Sequence, residues 1–313
     1  MKEQYLWCEK YRPRTISDCI LPDELKSVFE GIIKSNEIPN MLFSGSAGVG
    51  KTTVAKALCD ELGVAYLFIN GSKDGNIDTL RTTIQDYSST VSFNGKRKVV
   101  ILDESDYLNA NSTQPALRGF IEEFSRNCAF ILTCNFKNKI IEPLHSRCSV
   151  VEFRIPKNEK QQIAKGYLHR VVNILKQEKV KYDTKVVIEI IGKYFPDFRR
   201  IINELQLCYT KFGEINEGIL AANPDLGISK LFLALKEKKY SQVREWILEN
   251  IDNEPSRIYR KIFESLKGNV KNTSIPQAVL SLLDYEFKSA FVADQELCFL
   301  ACLTDLMINC EFE

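Results

Sequence analysis

The sequence has few residues of the kinds that build metal centres, and it has no excess of either charge. His145 and His169 are the only histidines among 313 residues, and the ten cysteines are scattered, without a C-x-x-C pair. A zinc site or a disulfide framework is therefore not expected, and we interpret the cysteines as small buried apolar residues in a reducing compartment. With 42 basic and 41 acidic residues the net charge is +1. Any contact with nucleic acid must therefore come from a local basic strip.

Long apolar runs are missing as well. No stretch approaches the roughly 18 residues that cross a bilayer, and the first residues lead into no secretory segment, so we expect a cytoplasmic protein without a membrane partner. Hydrophobic residues make up 44% of the chain and charged residues 27%, which is ordinary for a globular protein. The length allows two or three domains.

What the sequence does contain is a phosphate-binding loop in its usual setting. The apolar segment Met41–Ser44 leads into a G-x-x-x-x-G-K-T loop, which opens a helix predicted over residues 52–62. Glycines let backbone N–H groups turn toward phosphate oxygens, and the helix N-terminus adds its positive end. Lys51 can reach the β- and γ-phosphates, and the Thr52 hydroxyl can bind Mg²⁺. An ordinary glycine-rich turn is the less favoured alternative. The predicted nucleotide-binding residues here are Gly45, Ser46, Ala47, Gly48, Val49, Gly50, Lys51, Thr52 and Thr53.

Acidic and amide side chains follow two later apolar segments. Residues 99–102 run directly into Asp103 and Glu104, and residues 129–134 end at Asn135. Asp103 can hold Mg²⁺ through its water shell, and Glu104 can orient and deprotonate the attacking water. Asn135 would lie beside the γ-phosphate and contact that water. The alternatives are an exposed acidic turn and a turn-forming asparagine, and the P-loop upstream makes the first of them less favoured.

The alternation of strands and helices predicts the fold class. Apolar strands at residues 41–44, 65–70, 99–102, 129–134 and 150–153 are separated by helical segments, which favours an α/β fold with a parallel sheet covered on both faces. From Pro156 onward only helices are predicted, at residues 159–177, 183–194 and 197–212. After a break near residues 223–227, five more follow at residues 230–238, 242–249, 256–266, 275–287 and 294–310. Residues 7–13 are predicted to be extended or looped, since Pro13 restricts the residue before it.

Together these motifs resemble the AAA+ ATPase subunits of DNA sliding-clamp loaders, most of all the large-subunit type of T-even bacteriophages. The resemblance covers nearly the whole chain. It is carried by W-C-E-K-Y-R-P at residues 7–13, the P-loop, D-E-S-D at residues 103–106, T-C-N at residues 133–135, S-R-C at residues 146–148 and D-F-R-R at residues 197–200. The P-loop is shared by many functions, whereas the first and the S-R-C motifs are far narrower.

The resemblance implies a role for each matching residue. Arg147 would be an arginine finger that reaches the nucleotide of the next subunit, because a planar, always-charged guanidinium suits a phosphoryl group that spreads its charge. An arginine paired with a local carboxylate such as Glu142 is the alternative. Asn135 would be sensor 1 and Arg199 sensor 2, with an exchange of roles with Arg200 left open. The adenine and ribose pocket would be lined by Glu9, Lys10, Tyr11, Arg12 and Ile20.

Residues 111–118 resemble the helix that couples the sites of these proteins. Gln114 matches a glutamine of the family, whereas Pro115 departs from its pattern at a position in the first helical turn where proline is tolerated. DNA phosphates would suit exposed N–H groups of Ser112 and Thr113, and also Arg81. An N-cap serine and a solvated surface arginine are the alternative interpretations.

The implied function is ATP- and Mg²⁺-dependent loading of a ring-shaped sliding clamp onto primer-template DNA by a DNA-stimulated ATPase. The implied partners are identical subunits, a different small subunit completing a pentamer, and indirectly a DNA polymerase, in the host-cell cytoplasm if the source is viral. The domains would be an AAA+ nucleotide-binding domain at residues 1–154, a helical lid at 155–228 and an oligomerising helical collar at 229–313. Residues 73–95 are a candidate clamp contact. The alternatives are another AAA+ DNA motor, such as a helicase loader or branch-migration ATPase, and a nucleotide-binding structural subunit without turnover.

Overall fold

In the computed structural model the described residues are 5–73, 77–92, 95–216, 227–251 and 253–313. The chain forms two compact units, Met1–Ile219 and Leu220–Glu313. The first combines a sheet with helices, and the second is helical. The finer division into three domains at residues 154 and 228 stays a prediction.

A parallel sheet lies at the centre of the first unit. Its five strands run in the order β2-β3-β4-β1-β5, and every neighbouring pair is parallel. Strands β3 and β4 are buried along their whole length, as expected for central strands covered on both faces. The α/β parallel fold predicted from the sequence is therefore confirmed. The strands are β1 (Met41–Ser44), β2 (Tyr66–Asn70), β3 (Lys98–Asp103), β4 (Cys128–Cys134) and β5 (Ser149–Glu152).

The two faces of the sheet carry separate apolar cores. Side chains alternate between faces along a strand, so that in β1 Phe43 packs with Phe29 and Phe153 on one side while Leu42 joins Phe130 on the other. Helices cover both faces. Those of the first unit are Trp7–Lys10, Asp23–Ser35, Lys51–Glu61, Ile77–Ser89, Thr113–Glu123, Glu142–His145, Lys160–Gln177, Thr184–Tyr194 and Phe198–Phe212, with 3-10 turns at Ser105–Tyr107 and Lys137–Lys139.

One local prediction is wrong. Residues 7–13 were expected to be extended or looped, but Trp7–Lys10 form one helical turn. Pro13 restricts only Arg12, so the helix can end at Lys10 with Tyr11 as its C-cap. Burial of Trp7, which stacks on Tyr209 at 5.7 Å between ring centroids, holds this turn in place. A helix is also predicted from the sequence over residues 76–89, and its first residue, like residues 223–226 of the predicted break, lies outside the described residues.

The second unit packs its helices around a single apolar core that includes Trp246, Tyr259 and Phe299. Its helices are Ile228–Lys236, Tyr240–Asn250, Pro255–Ser265, Ile275–Ser289 and Gln295–Asn309. Each begins and ends within three residues of its predicted bounds, because an amphipathic period of 3.6 residues is a strong signal in long segments. None of the helices in the described part of the chain has the length and hydropathy needed to span a membrane. Nine of the ten cysteines are buried, as interpreted from the sequence, and Cys8 is partly exposed.

Candidate active site

The carboxyl ends of the central strands meet at one edge of the sheet, and a cleft opens there. In the registers of the sheet Ser44 lies opposite Cys134 and Leu102 opposite Leu132, so the segments that follow β1, β3 and β4 are neighbours. Most of the predicted site residues line this cleft: Ala47, Gly48, Val49, Gly50, Lys51, Thr52, Thr53, Asp103, Glu104, Asn135, Glu9, Tyr11, Arg12, Ile20 and Arg199.

The ammonium group of Lys51 makes three hydrogen bonds, two within the P-loop and one to Asn135. Its Nζ donates to the carbonyl oxygens of Gly45 at 2.7 Å and Ser46 at 2.8 Å, and to Oδ1 of Asn135 at 2.9 Å. The side chain is 8% exposed, and its burial lowers the pKa of the lysine. Gly45 and Ser46 do not line this cleft; they line a second pocket, which shares Val49 and Asn135 with it. The bond to Asn135 brings together two residues predicted to surround one phosphate.

The Thr52 hydroxyl and the Asp103 carboxylate, both predicted to bind Mg²⁺, are in direct contact. The hydroxyl of Thr52 donates to Oδ1 of Asp103 at 2.6 Å, and the hydroxyl of Thr133 donates to the same oxygen at 2.7 Å. Hydroxyl and carboxylate oxygens are the hard donors that Mg²⁺ prefers, and the ion usually keeps several waters beside one or two carboxylates. The residues present therefore fit this ion.

Glu104 enters the cleft through an unusual backbone conformation. Its φ is +55°, in the left-handed region, which non-glycine residues adopt rarely and often at functional sites. The N–H of Glu104 donates to the Thr133 hydroxyl at 3.2 Å. The conformation turns the chain sharply where β3 ends, so that Glu104 lines the cleft directly beside Asp103.

Asp106 holds the loop that carries Asn135. Its Oδ2 accepts the backbone N–H groups of Asn135 at 3.1 Å and Phe136 at 3.2 Å. The residue is 7% exposed, and its other oxygen, Oδ1, is buried without a hydrogen-bond partner. Sequence reasoning recognised the acid in the D-E-S-D motif but assigned it no role, because the N–H groups that donate to it are 29 and 30 residues away.

The N-terminal segment supplies the other end of the cleft. Arg12 forms an ion pair with Glu9 and donates from Nη1 to the Thr53 hydroxyl at 3.5 Å. Desolvation raises the pKa of Glu9, but the hydrogen bond and charge of Arg12 outweigh it, so that the pKa lies below its usual value. Lys10 does not line the cleft: its ammonium donates to Glu178 at 2.7 Å. The helical turn directs Lys10 toward Glu178, which follows the Lys160–Gln177 helix, and its contact with a nucleotide stays a prediction.

The helix Phe198–Phe212 approaches the P-loop closely enough to require a glycine. Gly48 has a φ of +72°, and a Cβ placed on it would lie 1.7 Å from Oδ1 of Asp197. That carboxylate caps the helix by accepting the N–H of Arg200 at 3.0 Å. Arg199 lines the cleft. The guanidinium of Arg200 instead lies 4.5 Å from the ring centroid of Tyr194 and 3.8 Å from Glu204, so the geometry favours Arg199 as sensor 2.

Sequence reasoning missed several residues that line the cleft. Tyr167 and Phe198 pack together at 4.5 Å between ring centroids, and Arg170 and Cys8 also face the cavity. No local pattern marks Tyr167 and Arg170, because they reach the site only through the packing of the Lys160–Gln177 helix. Cys8 and Phe198 lie within the W-C-E-K-Y-R-P and D-F-R-R motifs, but no role in the site was assigned to them.

Arg147 lies away from the cleft of its own chain. It lines an open groove together with Val28, Ile32 and Arg97. Its Nε donates to Oε1 of Glu122 at 2.6 Å and its Nη1 to the carbonyl oxygen of Pro143 at 2.9 Å. The local carboxylate is therefore Glu122 rather than Glu142, the candidate named from the sequence.

The helix Thr113–Glu123 connects the acidic segment to the segment that carries Arg147. Gln114 is 1% exposed; its amide donates to the carbonyl oxygens of Leu108 and Lys139, both at 3.0 Å, and accepts the N–H of Ile141 at 2.9 Å. Pro115 is accommodated in the first turn, as expected.

The N–H groups expected to be available to DNA at the start of this helix are already bonded. The N–H of Ser112 donates to Oδ1 of Asn109 at 3.1 Å and that of Thr113 to the carbonyl oxygen of Asn109 at 3.0 Å. Thr113 is also buried. The expectation of exposed donors at these two residues was therefore wrong. Arg81 is exposed on the Ile77–Ser89 helix.

Comparisons with known proteins agree with this geometry. The family described as "ATPase family associated with various cellular activities (AAA)" matches residues 41–156, and that described as "Sliding-clamp-loader large subunit, AAA+ ATPase lid domain" matches residues 159–221. The chain is 41% identical over 247 residues to the sliding-clamp-loader large subunit of Escherichia phage RB69, covering 77% of each chain. The chain belongs to the sliding-clamp-loader family of AAA+ ATPases.

Two further proteins resemble this clamp-loader chain over most of its length. It is 33% identical over 330 residues to the replication factor C small subunit of Sulfolobus acidocaldarius, covering 99% of this chain and 98% of that one. The Holliday junction branch migration motor RuvB of Thermotoga maritima superposes with a TM-score of 0.54 over 73% of this chain and 80% of that chain. Its 16% identity shows a shared fold alone. As an AAA-family member the clamp-loader chain is a nucleotide-binding ATPase.

Proposed function

We propose that this chain is an ATPase subunit that opens a ring-shaped sliding clamp and closes it on primer-template DNA. The observation that carries the proposal is the division of one catalytic set between two places. Lys51, Asn135 and Glu104 line the cleft, whereas Arg147 lies in a groove elsewhere on the same unit. Such a division suits a site completed by the next subunit, and clamp-loader relatives cover three quarters or more of the chain.

Within the cleft each side chain has a chemical task. ATP supplies the phosphoanhydride bond that is cleaved. Thr52 and Asp103 would hold Mg²⁺, which would supply positive charge beside the phosphates. Glu104 orients the attacking water and takes its proton. Lys51 and Asn135, which already share a hydrogen bond, bind the terminal phosphate together with Arg199. The base and ribose lie against Glu9, Tyr11, Arg12 and Ile20.

Arg147 completes the site of a neighbouring subunit. A guanidinium supplied in trans stabilises the charge that develops on the transferred phosphoryl group, which accelerates hydrolysis by roughly 10³–10⁵. The working assembly is then a pentamer of identical chains together with a different, smaller subunit. Residues 229–313 would form its oligomerising collar, and residues 155–228 its lid.

DNA and clamp act on the assembled spiral. DNA is bound through its backbone without base specificity, with Arg81 as one contact, and its entry aligns Glu104 so that hydrolysis releases the clamp. The clamp contact proposed at residues 73–95 includes the Ile77–Ser89 helix. The DNA polymerase is an indirect partner, because it uses the loaded clamp.

The competing functions have less support. A helicase loader or branch-migration ATPase would share the cleft, but the relatives at 41% and 33% identity carry clamp-loader names whereas the branch-migration motor shares 16%. A subunit without turnover would not need Lys51, Asp103, Glu104 and Arg147 together.

The decisive experiment measures ATP hydrolysis by the assembled complex with and without primer-template DNA and the cognate clamp. We expect stimulation by both together. Glu104→Gln should bind ATP but lose about 10²–10⁴ in turnover, whereas Glu30→Gln, on an exposed turn of the Asp23–Ser35 helix, should behave as the parent chain. Stimulation by neither DNA nor clamp would refute clamp loading, and unchanged turnover in Glu104→Gln would indicate a non-catalytic subunit.

A further inference from the structure

We propose that Glu122 is a positioning residue for Arg147. It holds one edge of the guanidinium from the last turn of the Thr113–Glu123 helix and leaves the other edge directed toward the nucleotide of a neighbouring copy. This inference rests on the proposed role of Arg147 in trans.

The first argument is the geometry of the pair. Both Nε and Nη2 of Arg147 contact the same oxygen of Glu122, in the side-on arrangement, while Nη1 donates to the Pro143 carbonyl oxygen at 2.9 Å. Nη1 also donates to the Ser146 hydroxyl in a longer bond of 3.3 Å, so that these contacts use four of the five N–H donors of the guanidinium. The fifth donor belongs to Nη2. Replacement of the long Ser146 bond by a phosphate oxygen would give the Nη1–Nη2 edge the donor pair that binds a phosphoryl group bidentately.

The second argument is the place of the carboxylate on its helix. Glu122 lies in the last turn of Thr113–Glu123, where the negative end of the helix dipole disfavours an acidic side chain. Helix stability therefore does not explain a glutamate at this position. An arginine bound to it does, because the guanidinium compensates the negative charge.

The third argument is that the segment carrying Arg147 is tied to the same helix at both ends. Gln114, in the first turn, bonds to the carbonyl oxygen of Lys139 and the N–H of Ile141. Glu122, in the last turn, bonds to Arg147. The segment that carries Arg147 is thus attached to the Thr113–Glu123 helix at two points. The orientation of Arg147 therefore depends on this helix, which begins shortly after Asp103 and Glu104.

The bond to Glu122 holds Arg147 without burying it. Arg147 is 25% exposed despite its bond to Glu122, and it still lines the open groove beside Arg97. Glu37 is the acid among the groove-lining residues, and it pairs with Arg97 at 3.3 Å. Glu122 itself does not line the groove. A negatively charged nucleotide edge would therefore meet a surface whose net charge is positive.

The size of the effect follows from the freedom of the side chain. A half-exposed ion pair of this kind, with Glu122 54% exposed, adds little to stability. An arginine released from its partner, however, must lose rotamer freedom each time it engages the phosphate. We expect Glu122→Gln to lower turnover in the assembled complex roughly 5- to 30-fold while the affinity for ATP and the melting temperature stay unchanged.

The test is a double-mutant cycle in the assembled, full-length complex. Turnover, ATP affinity, melting temperature and sedimentation are measured for the parent chain, Glu122→Gln, Arg147→Ala and the double variant. Glu123→Gln is the matched control, because it removes the same charge from the neighbouring exposed position of the same helix. We expect Glu123→Gln to keep the parent turnover, and the double variant to be no slower than Arg147→Ala.

Two kinds of failure can be told apart. Parent-like or faster turnover in Glu122→Gln, or an equal loss in the Arg147→Ala background, would overturn the positioning role and leave the trans finger intact. Parent-like turnover in Arg147→Ala itself would refute the finger, and with it the proposed mode of assembly-dependent hydrolysis.

Discussion

Removing the Asp106 carboxylate should lower both the stability of the first unit and its rate of ATP hydrolysis. Its Oδ2 accepts the N–H groups of Asn135 and Phe136 at 3.1 and 3.2 Å. In Asp106→Ala both donors lose a charged acceptor, and such bonds contribute about 1.5–3 kcal/mol each. The buried, unpaired Oδ1 offsets part of this loss, because its desolvation cost disappears with it. We expect the free energy of unfolding of the first unit to fall by about 2–4 kcal/mol.

The catalytic consequence is larger than the loss of stability suggests. The Asn135 amide contacts Lys51 at 2.9 Å, so that release of its backbone displaces one ligand of the phosphate site. A misplacement of about 1 Å can cost about 10²-fold in rate. We therefore expect turnover in Asp106→Ala to fall by about two orders of magnitude, with a smaller effect on ATP affinity. Asp106→Asn, which keeps an acceptor oxygen of the same shape, should recover part of both losses.

The two tryptophans make the measurement specific. Trp7 lies in the first unit and Trp246 in the second, so a Trp246→Phe background leaves Trp7 fluorescence as a reporter of the first unit in denaturant unfolding. Asp60→Ala, at an exposed position of the P-loop helix, is the control. A stability change within about 0.5 kcal/mol of that control, together with unchanged turnover, would refute the assigned role of Asp106.

Two other predictions follow from single contacts. Gly48→Ala should lower the free energy of unfolding and the affinity for nucleotide more than Gly50→Ala does. Both glycines have a positive φ, but only at Gly48 would a Cβ meet a carboxylate, that of Asp197. Equal losses in the two variants would contradict this contact. Desolvation raises the pKa of Glu178, but hydrogen bonds from Lys10 and Tyr11 outweigh this effect and leave the pKa below 4.5. The stabilising contribution of the Glu178 carboxylate is therefore present at neutral pH and lost as pH falls below about 4.5. The difference in melting temperature between the parent chain and Glu178→Gln should shrink over that range. A difference that stays constant with pH would refute this contribution.

Much of the site could be predicted because its parts are local in the chain. A strand that ends in a glycine-rich turn and then a helix forms one phosphate-binding unit within about a dozen residues. The Asp103–Glu104 pair and Asn135 follow strands whose order was unknown from the sequence, but parallel strands end at a common edge whatever their order. For this reason Lys51, Thr52, Asp103 and Asn135 could be placed together without knowledge of the topology.

Some contacts could not be predicted from local sequence patterns. Lys10, predicted to line the nucleotide pocket, bonds to Glu178, 168 positions away. The N–H groups of Ser112 and Thr113 are bonded to Asn109, in a turn whose geometry no helix-start pattern specifies. Glu142 was the carboxylate named for Arg147, but its partner is Glu122, 25 residues away.

The sequence by itself determined that this chain has a parallel α/β sheet, a phosphate-binding loop and acids beside it, because hydrophobic period and backbone freedom act within a few residues. Only the tertiary structure decided which donors and acceptors are already bonded. It separates Arg199 from Arg200, directs Arg147 away from its own cleft and sets Glu122 against it. Those outcomes depend on contacts between segments far apart in the sequence, the Phe198–Phe212 helix against the P-loop and Glu122 against Arg147. Such contacts are fixed by packing rather than by local preference.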